Sequence, residues 1–246
     1  MSDSRQLRVV RARPTRSPAL EALLDDAERA RLTALRGEDD RRRFAASHAL
    51  ARLMLSQVTG LDPASVQIAA RCRRCGGPHG KTFVVSAAHL HISLSHAGER
   101  VAVALSSLGP VGVDVEQVAA SAFAGFADVA LTAGERAEYL RLPAEHRQRA
   151  AATWWVRKEA LLKATGHGMF VSPADVEVSA PVREPRLVAW HAQDGPTTPV
   201  HLVDLSLGPD YVGCAAVLSH RAPELRLTDG DELLAAWAGQ VRTARR

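Results

Sequence analysis

The sequence predicts an α+β fold built from two similar halves, and three observations support this prediction. The chain has 246 residues, 46% of them hydrophobic, so it can bury a core as one large domain or as two modules of about 100 residues or more. Helix-like and strand-like segments follow one another in the mixed order of an α+β protein. Both halves run roughly from a strand through helices to antiparallel strands, which predicts a pseudo-duplication with the change near residues 110–120.

The first half is predicted to contain a strand, helices, a loop and a hairpin. The helix over 37–60 is the clearest. Acidic residues occupy its first turn, apolar residues recur at intervals of three and four residues, and Gly60 ends it. The runs LHISLSH and VAVALSS flank AGER and predict two paired strands. The predicted segments are a strand at 7–13, helices within 18–36 and 37–60, a Cys/Gly/Pro/His loop at 71–80, and strands at 90–96 and 101–107.

The second half is predicted to begin with a strand and to end mostly in strands. A helix over 154–165 is closed by Gly166 and Gly168, and Asp229 or Asp231 can cap a last helix that runs through 241. We place the two halves at 1–112 and 113–246. The other predicted segments are a strand at 111–118, broken helix at 119–152, and strands at 174–179, 186–192, 199–207 and 211–218.

Composition limits the classes of function. The net charge of +4 suits an anionic ligand or partner but does not by itself indicate nucleic acid. A nucleic-acid module would need clustered bases interleaved with aromatic residues, which make up only 4% of the chain. Three cysteines do not make a disulfide framework, and neither a secretory signal nor a bilayer-spanning apolar stretch is evident. We therefore expect a cytoplasmic protein without a membrane partner.

The run VGVDVEQV, at 111–118, alternates in the way that a strand requires. Its three valines share one face, and Gly112, Asp114 and Glu116 share the other, with the two carboxylates about 7 Å apart. A lone motif of this kind is usually a solvated strand face. Here Gly112 leaves room for a close approach, and the strand is apolar enough to be central, so a functional site is the competing interpretation.

The run WWVRKEALLKATG contributes complementary groups. On a helix, Trp155, Glu159 and Lys163 lie on one stripe, while neighbouring apolar residues can face the core. Taken alone, Glu159 and Lys163 could form an ordinary surface ion pair. Taken with the strand, three acids and two lysines can form a hard-cation site beside a phosphate site, since Mg²⁺ favours one or two carboxylates with waters and phosphates. A third carboxylate would be free to act as a base.

These two motifs resemble the signature motifs of the Sfp-type 4′-phosphopantetheinyl transferases, roughly (V/I)G(V/I)D(V/I)E and WxxKEAxxKxxGxG. VGVDVE matches the first and WWVRKEALLKATGHGM the second. ISLSHAG resembles the family's serine–histidine turn, and PHGKT its GKP loop with Thr82 in place of proline. DDRRRFAASHALARLML resembles its N-terminal basic helix, and LTAGE a segment between the signature motifs.

The resemblance implies an activity, a fold and partners. Such enzymes move phosphopantetheine from coenzyme A to a serine hydroxyl of an acyl or peptidyl carrier protein and release adenosine 3′,5′-bisphosphate. Their fold is a pseudo-dimer of two similar α+β halves with coenzyme A between them. A Mg²⁺ cofactor (or Mn²⁺), an acidic carrier protein and a monomeric enzyme are expected. A non-catalytic coenzyme A-binding relative of the same fold is the alternative, although a chain that keeps the whole metal set argues against it.

The resemblance also implies roles for individual residues, all of which are expectations here. The metal ligands would be Asp114, Glu116 and Glu159, with Glu159 also the candidate base. Lys163 would contact the phosphates and stabilise the leaving group, which makes it a catalytic residue with Glu159. The remaining coenzyme A contacts would be Lys158 at the pyrophosphate, and Lys81, Ser95, His96 and Arg42 or Arg43 near the 3′-phosphate or adenine. Trp155 would be a packing anchor, and Glu135 would lie near the metal, in its outer shell.

The loop CRRCGGPHGK has the spacing C-x2-C-x3-H, from Cys72 through Cys75 to His79. A structural zinc site needs four ligands, and only His89 or His91 is close enough in sequence to complete it. We therefore favour a loop held by turns and packing, with zinc as the alternative.

Overall fold

The computed structural model describes residues 6–121 and 125–243 of the chain. Its first half contains five strands and three helices. They are β1 (Gln6–Ala12), α1 (Pro18–Glu21), α2 (Asp26–Ala34), α3 (Glu38–Thr59), β2 (Ile68–Arg71), β3 (Lys81–Val84), β4 (His91–Ala97) and β5 (Arg100–Ser106). The remaining elements are β6 (Val111–Gln117), α4 (Phe126–Ala130), α5 (Ala133–Arg141), α6 (Ala144–Thr165), β7 (Val176–Val178), β8 (Leu187–Trp190), β9 (Val200–Leu205), β10 (Tyr211–Leu218), β11 (Glu224–Asp229) and α7 (Asp231–Thr243).

The predicted α+β class is confirmed, and the two halves repeat one topology. In the first sheet the strands β1, β5 and β4 lie side by side, and in the second β6, β10 and β9 do so in the same order. All four of these pairings are antiparallel. Each half also has a 22-residue helix, α3 or α6, followed by a small hairpin, β2–β3 or β7–β8.

The end of the chain returns to the first half. Strand β11 pairs in parallel with β1 and extends the first sheet, and α7 buries Leu234 in the core beneath α3. The division at 112/113 stays a prediction, and it would fall inside β6 and leave residues 224–243 packed on the first half. Strand β11 was missed, although ELRLTD has a charged or polar residue at every second position, which is the alternation of a half-buried strand.

Other boundaries also differ from those expected. The helix predicted at 154–165 begins ten residues earlier, at Ala144, and α4 and α5 are separate helices within 119–152. Part of that segment, 122–124, lies outside the described residues. The loop predicted at 71–80 connects two strands, β2 and β3, which were missed because each has only four residues.

The two sheets pack against each other between the two long helices. Helix α3 covers one face of the first sheet, and α6 covers the outer face of the second. The inner faces meet in an apolar layer that includes Leu7, Val9 and the three valines of β6. Between their edges, Ser93 and Ser95 of β4 accept hydrogen bonds from the backbone N–H groups of Val113 and Val115, at 3.1 and 3.3 Å. These bonds satisfy N–H groups of β6 that would otherwise be buried without a partner.

Gly112 is the point at which α6 comes closest to β6. A Cβ atom built at Gly112 would overlap the carbonyl oxygen of Ala160 and would lie 2.5 Å from the nitrogen of Ala164. The predicted close approach is therefore real, and the group that approaches is the backbone of α6. Because side chains alternate along a strand, Asp114 and Glu116 face α6 as well. Among the described helices, none is both long enough and apolar enough to cross a bilayer.

We expect Gly112→Ala to lower the free energy of unfolding by about 1–3 kcal/mol, because the added Cβ would force α6 and β6 apart. Gly134→Ala is the matched control, since its Cβ would have its nearest neighbour at 3.7 Å and its effect should stay within about 0.5 kcal/mol. Urea unfolding of both variants measures this difference. A wild-type midpoint for Gly112→Ala would contradict the close packing of α6 on β6.

Candidate active site

Strand β6 and helix α6 bring together acidic groups and one lysine. Asp114 is buried on β6, and its Oδ1 accepts hydrogen bonds from Lys163 Nζ at 2.6 Å and from Ser95 Oγ at 2.9 Å. Lys163 Nζ also donates to the carbonyl oxygen of Val113 at 3.2 Å. Glu159 lies one turn before Lys163 on α6, as predicted. The predicted catalytic pair and a predicted metal ligand are therefore neighbours in the fold.

Two carboxylate oxygens in this group are buried without a hydrogen-bond partner among the described residues. They are Asp114 Oδ2 and Glu159 Oε1. A buried carboxylate oxygen without a partner is costly, and a bound cation is one way to remove that cost. Lys163 alone cannot neutralise Asp114, Glu116 and Glu159. The donor set consists of oxygen atoms, which Mg²⁺ prefers, so the residues present fit a magnesium ion.

The acidic groups perturb one another. Burial raises the pKa of Glu116 to about 7, and the negative charges of Asp114 and Glu159 contribute to the rise. The ammonium group of Lys163 and the Trp155 side chain offset part of this rise. Burial and the charge of Asp114 also raise the pKa of Glu159, against the opposing effect of Lys163. Carboxylates with raised pKa values are candidate proton acceptors near neutral pH.

The first half contributes a second lysine and the walls of a cleft. The ammonium group of Lys81, at the start of β3, donates a hydrogen bond to the carbonyl oxygen of Val111. Burial lowers the pKa of Lys81 to about 8, and the positive charge of Lys163 adds to this effect. A cleft of about 380 Å³ opens beside Glu159 and Lys163. Its other lining residues include Arg73, His79, Ser93, His167, Met169 and Phe170.

Of the residues predicted near the 3′-phosphate or adenine, His96 and Arg43 lie at the other end of β4, whereas Lys81 lies in the cleft, so the structure does not bring the whole predicted set together. Partial burial lowers the pKa of His96, with further lowering by the positive charges of Arg43 and Lys163. Arg43 donates to the carbonyl oxygen of Gly98 at 3.2 Å and pairs with Asp40 at 2.6 Å. Arg43 and Lys163 therefore supply positive charge to one region, and His96 lies between them as an imidazole whose neutral form is favoured.

Arg42 points to different partners. It pairs with Asp39 at 2.8 Å and with Glu99 at 3.2 Å on the surface. Of the two predicted arginines, Arg43 is the one whose charge lowers the pKa of His96.

Lys158 does not reach the site, which corrects the role predicted for it. Its side chain is fully buried, and its Nζ donates to Glu135 Oε2 at 2.5 Å and to the carbonyl oxygens of Ala130 and Pro173 at 2.6 and 2.9 Å. Lys158 and Lys163 are five residues apart on α6, which separates them by roughly 140° around the helix axis. Lys158 therefore joins α6 to the α4–α5 connection and cannot bind a pyrophosphate in the cleft.

Glu135 likewise does not lie near the carboxylates. It forms a capping box with Thr132, accepts from the backbone N–H of Val178 at 2.9 Å and pairs with Lys158. The glutamate is a structural partner of the buried lysine. The ring of Trp155 packs edge-on against that of Phe126, with the ring centroids 6.2 Å apart, in keeping with a packing role.

Sequence reasoning missed several residues around the site. Ser93, two residues before Ser95 on the same face of β4, was not singled out although the alternation of LHISLSH places both serines together. Arg73 donates to the carbonyl oxygen of Thr165 at 2.9 Å and so ties the β2–β3 loop to the end of α6. No sequence signal marks this long-range contact.

The loop between β2 and β3 brings Cys72, Cys75 and His79 together. One possible ligand atom from each residue lies within 4.8 Å of the other two. His89 and His91 do not belong to this group among the described residues.

Comparison with known proteins places these residues in a family context. Residues 110–216 match the model of the 4′-phosphopantetheinyl transferase superfamily. The chain is 30% identical over 168 residues to the 4′-phosphopantetheinyl transferase HetI of Nostoc sp., covering 68% of this chain and 69% of the relative. It is 34% identical over 91 residues to the 4′-phosphopantetheinyl transferase psf-1 of Bacillus pumilus, covering 37% of this chain and 38% of that one.

A solved structure is also similar over part of the chain. The holo-[acyl-carrier-protein] synthase of Thermotoga maritima is 28% identical, with a TM-score of 0.39, and the match covers 46% of this chain and 64% of that chain.

We expect Lys158→Met to lower the free energy of unfolding by about 3–5 kcal/mol, because it leaves the carboxylate of Glu135 buried without its charged partner. Adding Glu135→Gln should recover part of the loss. Lys163→Met should cost less stability, since Lys163 is about one-third exposed. Thermal unfolding distinguishes these cases, and equal losses for the two single lysine variants would refute the structural role of Lys158.

We expect Glu116→Gln to raise the melting temperature of the Mg²⁺-free protein at about pH 8. Because the folded pKa is raised from 4.5 to about 7, the wild-type protein loses stability as pH rises through this window. The glutamine variant should not lose stability over this pH range. Each kcal/mol of difference should shift the melting temperature by about 2–4 °C, and the difference should vanish below the unfolded pKa. Glu138→Gln, on the exposed side of α5, is the control. A constant difference at all pH values would contradict the raised pKa.

Proposed function

Because this chain belongs to the 4′-phosphopantetheinyl transferase superfamily, we propose that it transfers phosphopantetheine from coenzyme A to a serine hydroxyl of an acyl or peptidyl carrier protein. The other product is adenosine 3′,5′-bisphosphate. The observation that carries the proposal is the pair of buried, unpartnered carboxylate oxygens of Asp114 and Glu159 beside Lys163. Such a group suits a metal-bound pyrophosphate, and it lies where the two halves of the fold meet.

The positive groups would position coenzyme A along the seam between the halves. Lys163 lies at the centre, where the phosphates would meet the carboxylates. Lys81 lies on the cleft side and Arg43 and His96 on the other, so of these three residues only Arg43 and His96 would bind the 3′-phosphate. Coulomb attraction in a partly buried site is stronger than in bulk water, so these charges would orient the substrate.

Asp114, Glu116 and Glu159 would hold Mg²⁺ or Mn²⁺. When bound, the metal would neutralise the developing charge on the transferred phosphate and the leaving group. With the carboxylates occupied in this way, Lys163 would exchange its contact with Asp114 for one with a phosphate oxygen. Lysine, unlike arginine, can also give up a proton to a leaving phosphate oxygen.

Glu159 would accept the proton of the carrier's serine, directly or through a water molecule. Burial and the charge of Asp114 raise its pKa in the metal-free protein, and its Oε1 has no hydrogen-bond partner among the described residues. Its place on the rigid helix α6, one turn from Lys163, would hold the base and the cation in a fixed relation. Fixed positions of this kind supply most of the catalysis in phosphoryl transfer.

The carrier protein would be recognised in part by charge. Carrier proteins are generally acidic, and the chain has a net charge of +4, so their encounter should be fast at low salt and slower at high salt. Fatty-acid, polyketide and nonribosomal peptide synthesis all use such carriers. We propose a monomer, since the fold already has two halves, acting in the cytoplasm without nucleic-acid or membrane partners.

The direct test is the intact mass of an apo carrier protein incubated with this protein, coenzyme A and Mg²⁺. We expect a gain equal to one phosphopantetheine group, lost with EDTA and restored by excess Mg²⁺ alone. Asp114→Asn should lower kcat/KM at least about a hundredfold while the melting temperature stays close to that of the wild type. A chain that binds coenzyme A but modifies none of the three classes of carrier would instead be a non-catalytic relative.

We expect Lys163→Ala to lower kcat by about 10²–10³, as for the loss of one charge-stabilising group, and Lys163→Arg to recover only part. Lys81→Arg is the comparison, because Lys81 lies on the cleft side and a role that requires only positive charge there should tolerate arginine. Steady-state rates with coenzyme A measure both. Full recovery by Lys163→Arg would show that charge alone is needed and would remove the proton-donor role.

A further inference from the structure

We propose that Cys72, Cys75 and His79 bind a zinc ion in the loop that joins β2 and β3, with water at the fourth position. This site is separate from the carboxylate group, and the proposal does not depend on the transferase activity.

The three side chains already have the spacing of a tetrahedral site. Their ligand atoms lie within 4.8 Å of one another, and Cys75 Sγ is 3.2 Å from His79 Nε2. Bond lengths of about 2.3 Å to sulfur and 2.0–2.1 Å to nitrogen place tetrahedral zinc ligands roughly 3.5–3.8 Å apart. Small side-chain rotations would therefore be enough to accommodate the ion.

The loop backbone is folded around the sulfur atoms. The N–H of Gly77 points at Cys75 Sγ at 3.4 Å, which would stabilise a thiolate. The N–H of Cys72 donates to the carbonyl oxygen of Gly77, and the N–H of Gly76 donates to that of Cys72, both at 3.0 Å. A Cβ at Gly77 would lie 3.3 Å from Cys75 Sγ and from His79 Cδ2, so the glycine allows the loop to close tightly.

The chemistry of the group favours zinc over a hard cation. Two sulfurs and one imidazole are ligands for zinc, whereas Mg²⁺ takes oxygen donors. Nearby arginines at 71, 73 and 74 would offset the negative charge of two thiolates. Without a bound metal, Cys75 would be an exposed free thiol. The two metal sites of the chain would thus select different ions.

A cross-link would act on the loop rather than on the strands of the hairpin. Strands β2 and β3 pack on the first core through Ile68 and Val84, and the loop that joins them has nine residues. The same loop leads into Lys81, and both Cys72 and His79 line the cleft. A zinc ion would hold this wall of the cleft and fix the start of β3. Three protein ligands leave one position for water, since no fourth residue joins the group in the described chain.

The test is metal binding by the full chain, purified under reducing conditions and stripped of metal. We expect one equivalent of Zn²⁺ to bind in the presence of excess Mg²⁺. Co²⁺ at the same site should give the visible absorption of a tetrahedral ion and a thiolate charge-transfer band in the near ultraviolet. No binding, or cobalt spectra without the thiolate band, would overturn the proposal.

Variants then identify the ligands. Cys75→Ser and His79→Asn change exposed side chains, so the fold should persist, and each should weaken zinc binding by more than about a hundredfold. Cys214→Ala and His89→Asn are the matched controls and should bind zinc as the wild type does. Undiminished binding by Cys75→Ser, or a Cys72–Cys75 disulfide in place of the metal, would contradict the site. Hydrogen exchange should also slow in residues 72–84 when zinc is added.

Discussion

The close contact between α6 and β6 at Gly112 is the constraint on which the site depends. Only a residue without a Cβ lets the helix backbone approach the strand at this point. Two residues further along β6, Asp114 faces the same helix, and one turn along α6 Lys163 meets it at 2.6 Å. A longer distance between helix and strand would separate the carboxylates from the lysine. The contact at Gly112 therefore determines both how α6 packs on β6 and how close Lys163 lies to Asp114.

The repeated topology explains why the site lies between the halves. The edge strands β4 and β6 meet through Ser93 and Ser95, which bond to the backbone of β6 rather than form a regular strand pairing. Ser95 donates to Asp114 from the same edge. The seam thus brings polar groups of both halves into a region with an apolar layer behind it. A phosphate-rich ligand in this seam would contact rigid elements on both sides.

The sequence was most informative where a periodic pattern carried several polar residues. Alternation in VGVDVEQV placed Asp114 and Glu116 correctly on one face, and helical spacing placed Glu159 beside Lys163. Lys158 belongs to the same motif but lies on the other side of α6. Its buried partner there, Glu135, is 23 residues earlier in the chain, and the motif does not indicate that pairing. The pairing of β11 with β1 and the hydrogen bond from Arg73 to α6 join residues distant in the chain, which local patterns do not report.

The most direct test of the account is calorimetric titration of coenzyme A at several Mg²⁺ concentrations. If Asp114, Glu116 and Glu159 hold a metal that neutralises pyrophosphate charge, the affinity for coenzyme A should rise with Mg²⁺, and by linkage the affinity for Mg²⁺ should rise with coenzyme A. This coupling should be lost in Glu159→Gln and retained in Lys158→Arg. Coenzyme A affinity that is independent of Mg²⁺ in the wild-type protein would contradict the central claim.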